Sequence, residues 1–98
     1  MKITSDTTLT KSSRRITIEG ASKMPVTGHS FKGKDYLPES IRLHWVNDAE
    51  PDRATVSGPV FKKDGTLGQQ YAECDYALTG HAWDHRPDAP DWLREAIA

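Results

Sequence analysis

The stretch KKDGT at residues 62–66 decides the fold, because it lies between two segments in which apolar and polar residues alternate. The segment before it is Arg53–Phe61 and the segment after it is Gln70–Leu78. Alternation with a period of two is typical of a strand with one buried face. The Asp-Gly pair supplies the positive-φ glycine that tight hairpin turns need. The sequence therefore predicts a β-hairpin with Gly65 in its turn, whereas Gly33 is tied to no turn type.

Each hairpin strand has one apolar face. The predicted inward residues are Ala54, Val56 and Val60 on the first strand and Ala72, Cys74, Tyr76 and Leu78 on the second. Cys74 is thus expected to be a core thiol rather than a nucleophile. The Gly58-Pro59 pair removes a backbone donor from the first strand, which favours a bulge or an edge position there.

Two further segments alternate in the same way. Arg14–Glu19 predicts a strand with Ile16 and Ile18 inward. Residues 41–46 predict another, with Ile41, Leu43 and Trp45 on one face and Arg42 and His44 on the other. Residues 1–13 are rich in Thr, Ser and Lys, which indicates a frayed terminus or an edge strand. Residues 20–40 predict a long loop, with a short strand around residues 24–26.

The C-terminal segment predicts a short helix. Asp88 is suited to cap it, Pro90 to its first turn and Asp91 to its positive end. An apolar stripe then follows, formed by Trp92, Leu93, Ala96 and Ile97. A helix this short needs tertiary contacts, so the stripe must dock on the sheet or on a partner. We expect one α+β, mostly β domain over residues 1–98, with three to five antiparallel strands and this helix.

Composition limits the class of protein. The chain has 98 residues, of which 36% are hydrophobic and 28% are charged, as in a small globular domain. Its apolar runs are too short for a membrane span or a signal-peptide core, and a single cysteine permits no intramolecular disulfide. We therefore expect a soluble, cytoplasmic protein with no membrane association.

The net charge of −1 conceals an asymmetry along the chain. Residues 1–34 carry seven Lys/Arg against two carboxylates, and residues 35–98 carry six against twelve. A basic first half is one way in which a chain finds phosphate or an acidic partner. Two halves that face each other, or that are simply solvated, explain the same asymmetry.

Two segments support a resemblance. SGPVFKKDGTLG at residues 57–68 and PDWLRE at residues 90–95 resemble stretches in small uncharacterised proteins of actinobacteria and their phages, with a KKDGTxG hairpin and a PxWLRE helix. The resemblance covers the C-terminal half. It implies the hairpin, the docking helix and a source of that kind, and it implies no activity, cofactor or site residue.

Signatures of catalysis are weak in this sequence. His81, Asp84 and His85 have spacing that metal ligands use, but Gly80 and Pro87 disfavour the helix that would bring them together. No Gly-rich phosphate loop is present, and no cofactor is predicted. A small metal-dependent enzyme around these three residues is therefore the second alternative to a binding protein.

Aromatic and basic residues favour a non-catalytic binding protein. Three Trp, three Tyr and two Phe are many for the small core of a domain this size, and exposed aromatics anchor interfaces. The first alternative is a nucleic-acid-binding module that uses the basic first half. A homodimer is also expected, paired through the Pro59 strand or through the helix. The candidate partner-binding residues are Phe31, Lys32, Lys34, Tyr36, Phe61, Lys62 and Lys63.

Overall fold

The computed structural model describes residues 1–10, 13–27, 31–45, 53–78, 87 and 89–97. These residues form mostly antiparallel β-sheet with one short C-terminal helix, as the alternation predicts. The expected number of strands was too low, because seven form and two of them are only two residues long, too short to show a period. The elements are β1 (Lys2–Thr10), β2 (Ser13–Glu19), β3 (Met24–Pro25), β4 (Asp35–Tyr36), β5 (Ser40–His44), β6 (Arg53–Phe61), β7 (Leu67–Ala77) and α1 (Asp91–Ile97).

The strands pair antiparallel in the order β1-β2-β5-β6, and β7 pairs with the other side of β6. The short strand β4 pairs with the far end of β6, where Tyr36 lies opposite Val60, and β3 pairs with β4. Every residue of β1 is exposed. Of the two alternatives for the N-terminal residues, the structure shows the edge strand.

The prediction that Pro59 marks an edge strand was wrong, because β6 lies between β5 and β7. The predicted bulge is present as a register shift between Pro59 and Phe61. The Pro59 carbonyl accepts a hydrogen bond of 2.9 Å from the Leu37 amide. The Pro59 nitrogen faces the same side, toward residues 37–39, which continue the pairing irregularly between β4 and β5. Proline is tolerated in this central strand because no regular strand needs its missing N–H at that point.

The sheet has two chemically different faces. The inner face holds the hydrophobic core, in which α1 contributes Leu93 and Ala96. The outer face is formed by the alternate residues, and no apolar side chain from the described core packs on it. The inner face comprises Ile16, Ile18, Ile41, Leu43, Ala54, Val56, Ala72, Cys74 and Tyr76. The outer face comprises Arg15, Thr17, Arg42, His44, Thr55, Ser57, Glu73 and Asp75.

Packing and hydrogen bonds hold helix α1 next to the end of β7. Leu93 is fully buried, whereas Trp92 and Ile97 are partly buried against the same core. Arg94 Nη1 donates a hydrogen bond of 2.9 Å to the Leu78 carbonyl. The chain before the helix is also held, since the Ala77 amide donates to Pro87 and the Ala77 carbonyl accepts from Ala89. The apolar stripe thus docks on the chain's own sheet.

The start of the helix differs slightly from the expectation. Pro90 precedes the helix, and its carbonyl accepts the first hydrogen bonds, from the Leu93 and Arg94 amides. The predicted cap, Asp88, lies outside the described residues.

The hairpin between β6 and β7 has the predicted turn. The Gly65 amide donates to the Lys62 carbonyl at 3.0 Å, and Gly65 has φ of +85°. Asp64 Oδ1 accepts hydrogen bonds from the Thr66 amide and hydroxyl, at 2.9 and 2.6 Å. The prediction that Gly65, and not Gly33, is tied to a turn with positive φ was wrong for Gly33, because its φ of +81° lies in the same left-handed region. In the part of the chain that the structure describes, no helix is long and apolar enough to cross a membrane.

Candidate functional site

A groove beside the β6–β7 turn gathers most of the basic residues singled out in the sequence. Its volume is about 380 Å³. We call it the basic groove, and it is lined by Lys23, Gly33, Lys34, Asp35, Phe61, Lys62, Lys63 and Gly65. Residues far apart in sequence meet here because β4 pairs with the end of β6.

The turn before β4 positions Lys34. The Lys34 amide donates to the Phe31 carbonyl at 3.0 Å, and the Lys34 carbonyl accepts from the Val26 amide at 3.0 Å. Phe31 and Gly33 both have positive φ, which tightens this turn. The pairing of Tyr36 with Val60 then sets Lys34 beside the hairpin. The alternation of β6 and the pairing of β4 together create the groove.

A second groove, of about 370 Å³, adjoins the first and shares Lys34, Phe61 and Lys62 with it. It runs along the start of β7, past Gly68, Gln69 and Gln70. A Cβ on Gly68 would lie 3.6 Å from Lys62 Cγ and 3.0 Å from the Val60 carbonyl. The alkyl stem of Lys62 therefore lies against the Gly68 backbone, and Lys62 lines both grooves.

The basic groove carries more positive than negative charge. Lys23 Nζ lies 3.7 Å from Asp35 Oδ2, and both side chains are largely exposed. No described carboxylate forms an ion pair with Lys34, Lys62 or Lys63. Asp64 is nearby, and its hydrogen bonds from Thr66 lower the pKa of its carboxyl, so it remains ionised near neutral pH. Four lysines thus face two carboxylates, and one of those carboxylates already accepts hydrogen bonds within the turn.

The structure places the other predicted binding residues differently. Lys32 is exposed but does not line the basic groove, and Phe31 packs partly against the core. Tyr36 is fully buried, so its placement on a binding surface was wrong. Its ring belongs to the core because β4 turns it inward beside Val60. The Tyr36 hydroxyl lies 3.1 Å from the Tyr76 hydroxyl, and burial raises the pKa of both phenols.

The candidate metal ligands His81, Asp84 and His85 lie outside the described residues. Within the described ranges, no group of three or more His, Cys, Asp or Glu side chains is arranged to hold a metal ion. Cys74 is buried in the core, as the alternation predicts. Cys74 thus has the surroundings of a core thiol and not those of a solvent-accessible nucleophile.

Sequence reasoning missed the grouping of charge on the outer face. Arg15 and Arg42 belong to strands far apart in the sequence, and the register sets them directly opposite each other. Each arginine lies at a polar position of an alternating segment, and that position indicates which face of the sheet it occupies. The pairing itself depends on which strands become neighbours, and alternation within one strand does not specify that.

Comparisons with known proteins assign no function to these surfaces. No protein-family model matches the chain, and neither a curated protein nor a solved structure matches it. The fold and the chemistry of its own surface are therefore the basis for a functional conclusion.

Proposed function

We propose that the chain is a non-catalytic binding protein that recognises an acidic segment of a partner protein through the basic groove. One observation carries this proposal. Lys34, Lys62 and Lys63 converge around Phe61, and none of them has a carboxylate partner among the described residues. A cationic groove with an aromatic wall is complementary to an extended acidic peptide.

In the basic groove, the lysines supply charge and Phe61 supplies an apolar contact. Exposed lysines attract an acidic partner over several ångströms and favour its correct orientation. Their main effect is to raise the association rate. Phe61 is partly buried and rigidly placed by β6, so its exposed edge is an apolar contact point with little entropy to lose. Lysine stems are flexible, which suits the recognition of acidic side chains at varied spacing better than a fixed bidentate contact.

Nucleic acid is the second candidate, because the same lysines would also contact phosphates. Single-strand binders add aromatic side chains on which successive bases stack. Of the three aromatics considered for that role, Tyr36 is buried, and Phe31 and Phe61 are only partly exposed. Little stacking surface remains, so the described groove favours a peptide over a nucleic-acid strand.

The remaining expectations stay predictions. A metal-dependent activity around His81, Asp84 and His85 would appear as bound metal in protein purified without an affinity tag. An accessory role of the kind played by small phage proteins is consistent with a binding surface and no catalytic group in the described residues. A homodimer that pairs through a sheet edge would use β1, β3 or β7 and not β6, because β6 is a central strand, and the α1 stripe is docked within the chain.

Charge reversal tests the proposal. Fluorescence anisotropy would compare a labelled oligoglutamate peptide with a labelled oligothymidylate of equal charge. Wild-type protein should bind the peptide more tightly, and Lys62→Glu should weaken that binding roughly tenfold, since about 1.4 kcal/mol is lost. Lys2→Glu is the matched control, because Lys2 is an exposed lysine of β1 outside the groove.

Three results would contradict the proposal. Equal losses in Lys62→Glu and Lys2→Glu would show that net charge rather than the groove binds the peptide. Tighter binding of oligothymidylate would favour the nucleic-acid alternative. Absence of binding to either probe at low ionic strength would remove the groove as a site for anionic partners.

A further inference from the structure

The outer face of the sheet carries a second cationic surface, separate from the basic groove. Residues directly opposite each other on neighbouring strands form rows across this face. In one row, Arg15 lies opposite Arg42, which lies opposite Thr55. In the adjacent row, Thr17 lies opposite Ser40, and Ser40 lies opposite Ser57.

These rows border a depression with a volume of about 490 Å³. This volume is within the range of small-molecule sites. Its lining is polar throughout, with two arginines, one histidine, one carboxylate and four hydroxyl groups. The residues are Arg15, Arg42, His44, Glu73, Thr17, Ser40, Thr55 and Ser57.

The arrangement of Arg15 and Arg42 is unfavourable in the free protein. Side chains directly opposite each other on antiparallel strands have Cβ atoms about 5 Å apart, and like charges there are destabilising. Neither guanidinium forms an ion pair or a hydrogen bond with any described residue. Both side chains are exposed and project from the face. The repulsion between them is therefore not relieved inside the described part of the chain.

The carboxylates of this face lie away from the two arginines. Glu19 is on the same strand as Arg15 but four residues along it, a separation of roughly 13 Å. Glu73 and Asp75 belong to β7, two strands away from Arg42 on β5. Two strand spacings separate them by roughly 10 Å. Asp75 already accepts a hydrogen bond of 2.6 Å from the Thr55 hydroxyl. The depression is thus cationic at its β2–β5 end and carries the Glu73 carboxylate at its β7 end.

A third guanidinium adds to the cationic end. Arg53 lies opposite His44 on the same face. Its Nε atom is buried and has no hydrogen-bond partner within the described residues. Among the described residues, this end of the face therefore holds a guanidinium donor, Arg53 Nε, that no acceptor uses.

We propose that the outer face binds a small phosphate-bearing molecule, with its phosphate between Arg15 and Arg42. A phosphate accepts a pair of hydrogen bonds from the N–H groups of each guanidinium. Its negative charge also offsets the repulsion between the two arginines. The hydroxyls of Thr17 and Ser40, one row away, donate to the remaining oxygens. Glu73 at the opposite end accepts a hydrogen bond from a hydroxyl group of the same ligand. The class of ligand is therefore a phosphorylated polyhydroxylic compound.

Titration followed by NMR amide shifts tests the inference. The probes are a hexose phosphate, the unphosphorylated hexose and inorganic phosphate. The hexose phosphate should saturate the outer face, inorganic phosphate should bind the same amides more weakly, and the hexose alone should not bind. Arg42→Gln should weaken hexose phosphate binding roughly tenfold or more, and Arg42→Lys should restore only part of it, because lysine lacks the paired donors.

A stability measurement separates a ligand site from a merely structural arginine. Arg42→Gln should raise the thermal midpoint of the ligand-free protein, because it removes the repulsion from Arg15. The control Lys62→Gln lies in the basic groove and should leave hexose phosphate binding unchanged. Three results would overturn the inference: no saturable binding up to roughly 10 mM, equal weakening by Lys62→Gln, or a lower midpoint for Arg42→Gln. None of these results bears on peptide binding in the basic groove.

Discussion

The inner and outer faces of the sheet are built from the same strands and differ in almost every other respect. On β5, Ile41 and Leu43 are buried at 0% and 1% exposure, whereas Arg42 between them is exposed. The inner face excludes water and holds α1, and the outer face presents guanidinium and hydroxyl groups. The period of two thus separates stability from binding within single strands. Substitutions on the inner face should unfold the protein, and those on the outer surface should change binding.

The largest loss of stability is expected for Gly58→Ala. Its added Cβ would lie 1.7 Å from the Leu37 carbonyl oxygen, so the backbone of residues 37–39 would have to move away from β6. Overpacking against backbone should cost roughly 3 kcal/mol or more of the free energy of unfolding. Urea denaturation would measure it. Gly33→Ala is the control, since a Cβ there meets nothing within 4 Å and only the positive φ opposes it; equal losses would contradict the close approach.

A loss of roughly 2–5 kcal/mol is expected for Leu93→Ala, which leaves a cavity between α1 and the sheet. Leu93 is fully buried in the core. The matched control is Leu67→Ala, because Leu67 is 44% exposed at the start of β7 and should lose little. Thermal unfolding of both variants would show the difference. A mild effect at Leu93 would mean that the helix does not dock on its own sheet.

A smaller loss, roughly 1–2 kcal/mol, is expected for Tyr36→Phe, which leaves the buried Tyr76 hydroxyl without its partner. Burial raises the pKa of Tyr36 and of Tyr76 above that of an unfolded tyrosine. The contribution of these neutral phenols to the free energy of unfolding is therefore fully present below the unfolded pKa of about 10. It decreases as the pH rises above that value. Tyr36→Phe should flatten this alkaline decline, as measured by urea denaturation at several pH values.

Spectrophotometric titration provides the control for the tyrosines. Tyr71 is exposed and donates to Glu39, a hydrogen bond that raises its pKa without burying it. In the folded protein we expect the tyrosinate absorbance of Tyr71 alone, and the absorbance of the other two tyrosines only on unfolding. Three tyrosines that ionise together in the folded protein would refute the buried pair.

The smallest effect is expected at the β1 edge. Arg14 forms an ion pair and hydrogen bonds with Asp6, which lower the pKa of the Asp6 carboxyl. The stability from this pair is present above the unfolded pKa of aspartate and is lost as the pH falls through the lowered one. Because both side chains are partly exposed at the sheet edge, Asp6→Asn should change the thermal midpoint only slightly. A shift as large as that of Tyr36→Phe would show that β1 contributes more than an edge strand.

Period-two alternation predicted β2, β5, β6 and β7 and the direction of their side chains, because a half-buried strand imposes that pattern locally. The Asp64-Gly65 turn was predictable for the same local reason. The burial of Tyr36 was not, since β4 is two residues long and its face depends on pairing with β6. The same holds for the position of Pro59 between two strands and for the meeting of Arg15 with Arg42. Those features depend on which distant segments become neighbours.

The proposed function requires that an acidic partner binds at the basic groove and not on the outer face of the sheet. An NMR titration of the folded protein with oligoglutamate tests it most directly. We expect saturable amide shifts at Lys34, at residues 61–63 and at Gly65, with none at Arg15 or Arg42. Shifts centred on the outer face, or no saturable shift at low ionic strength, would contradict it.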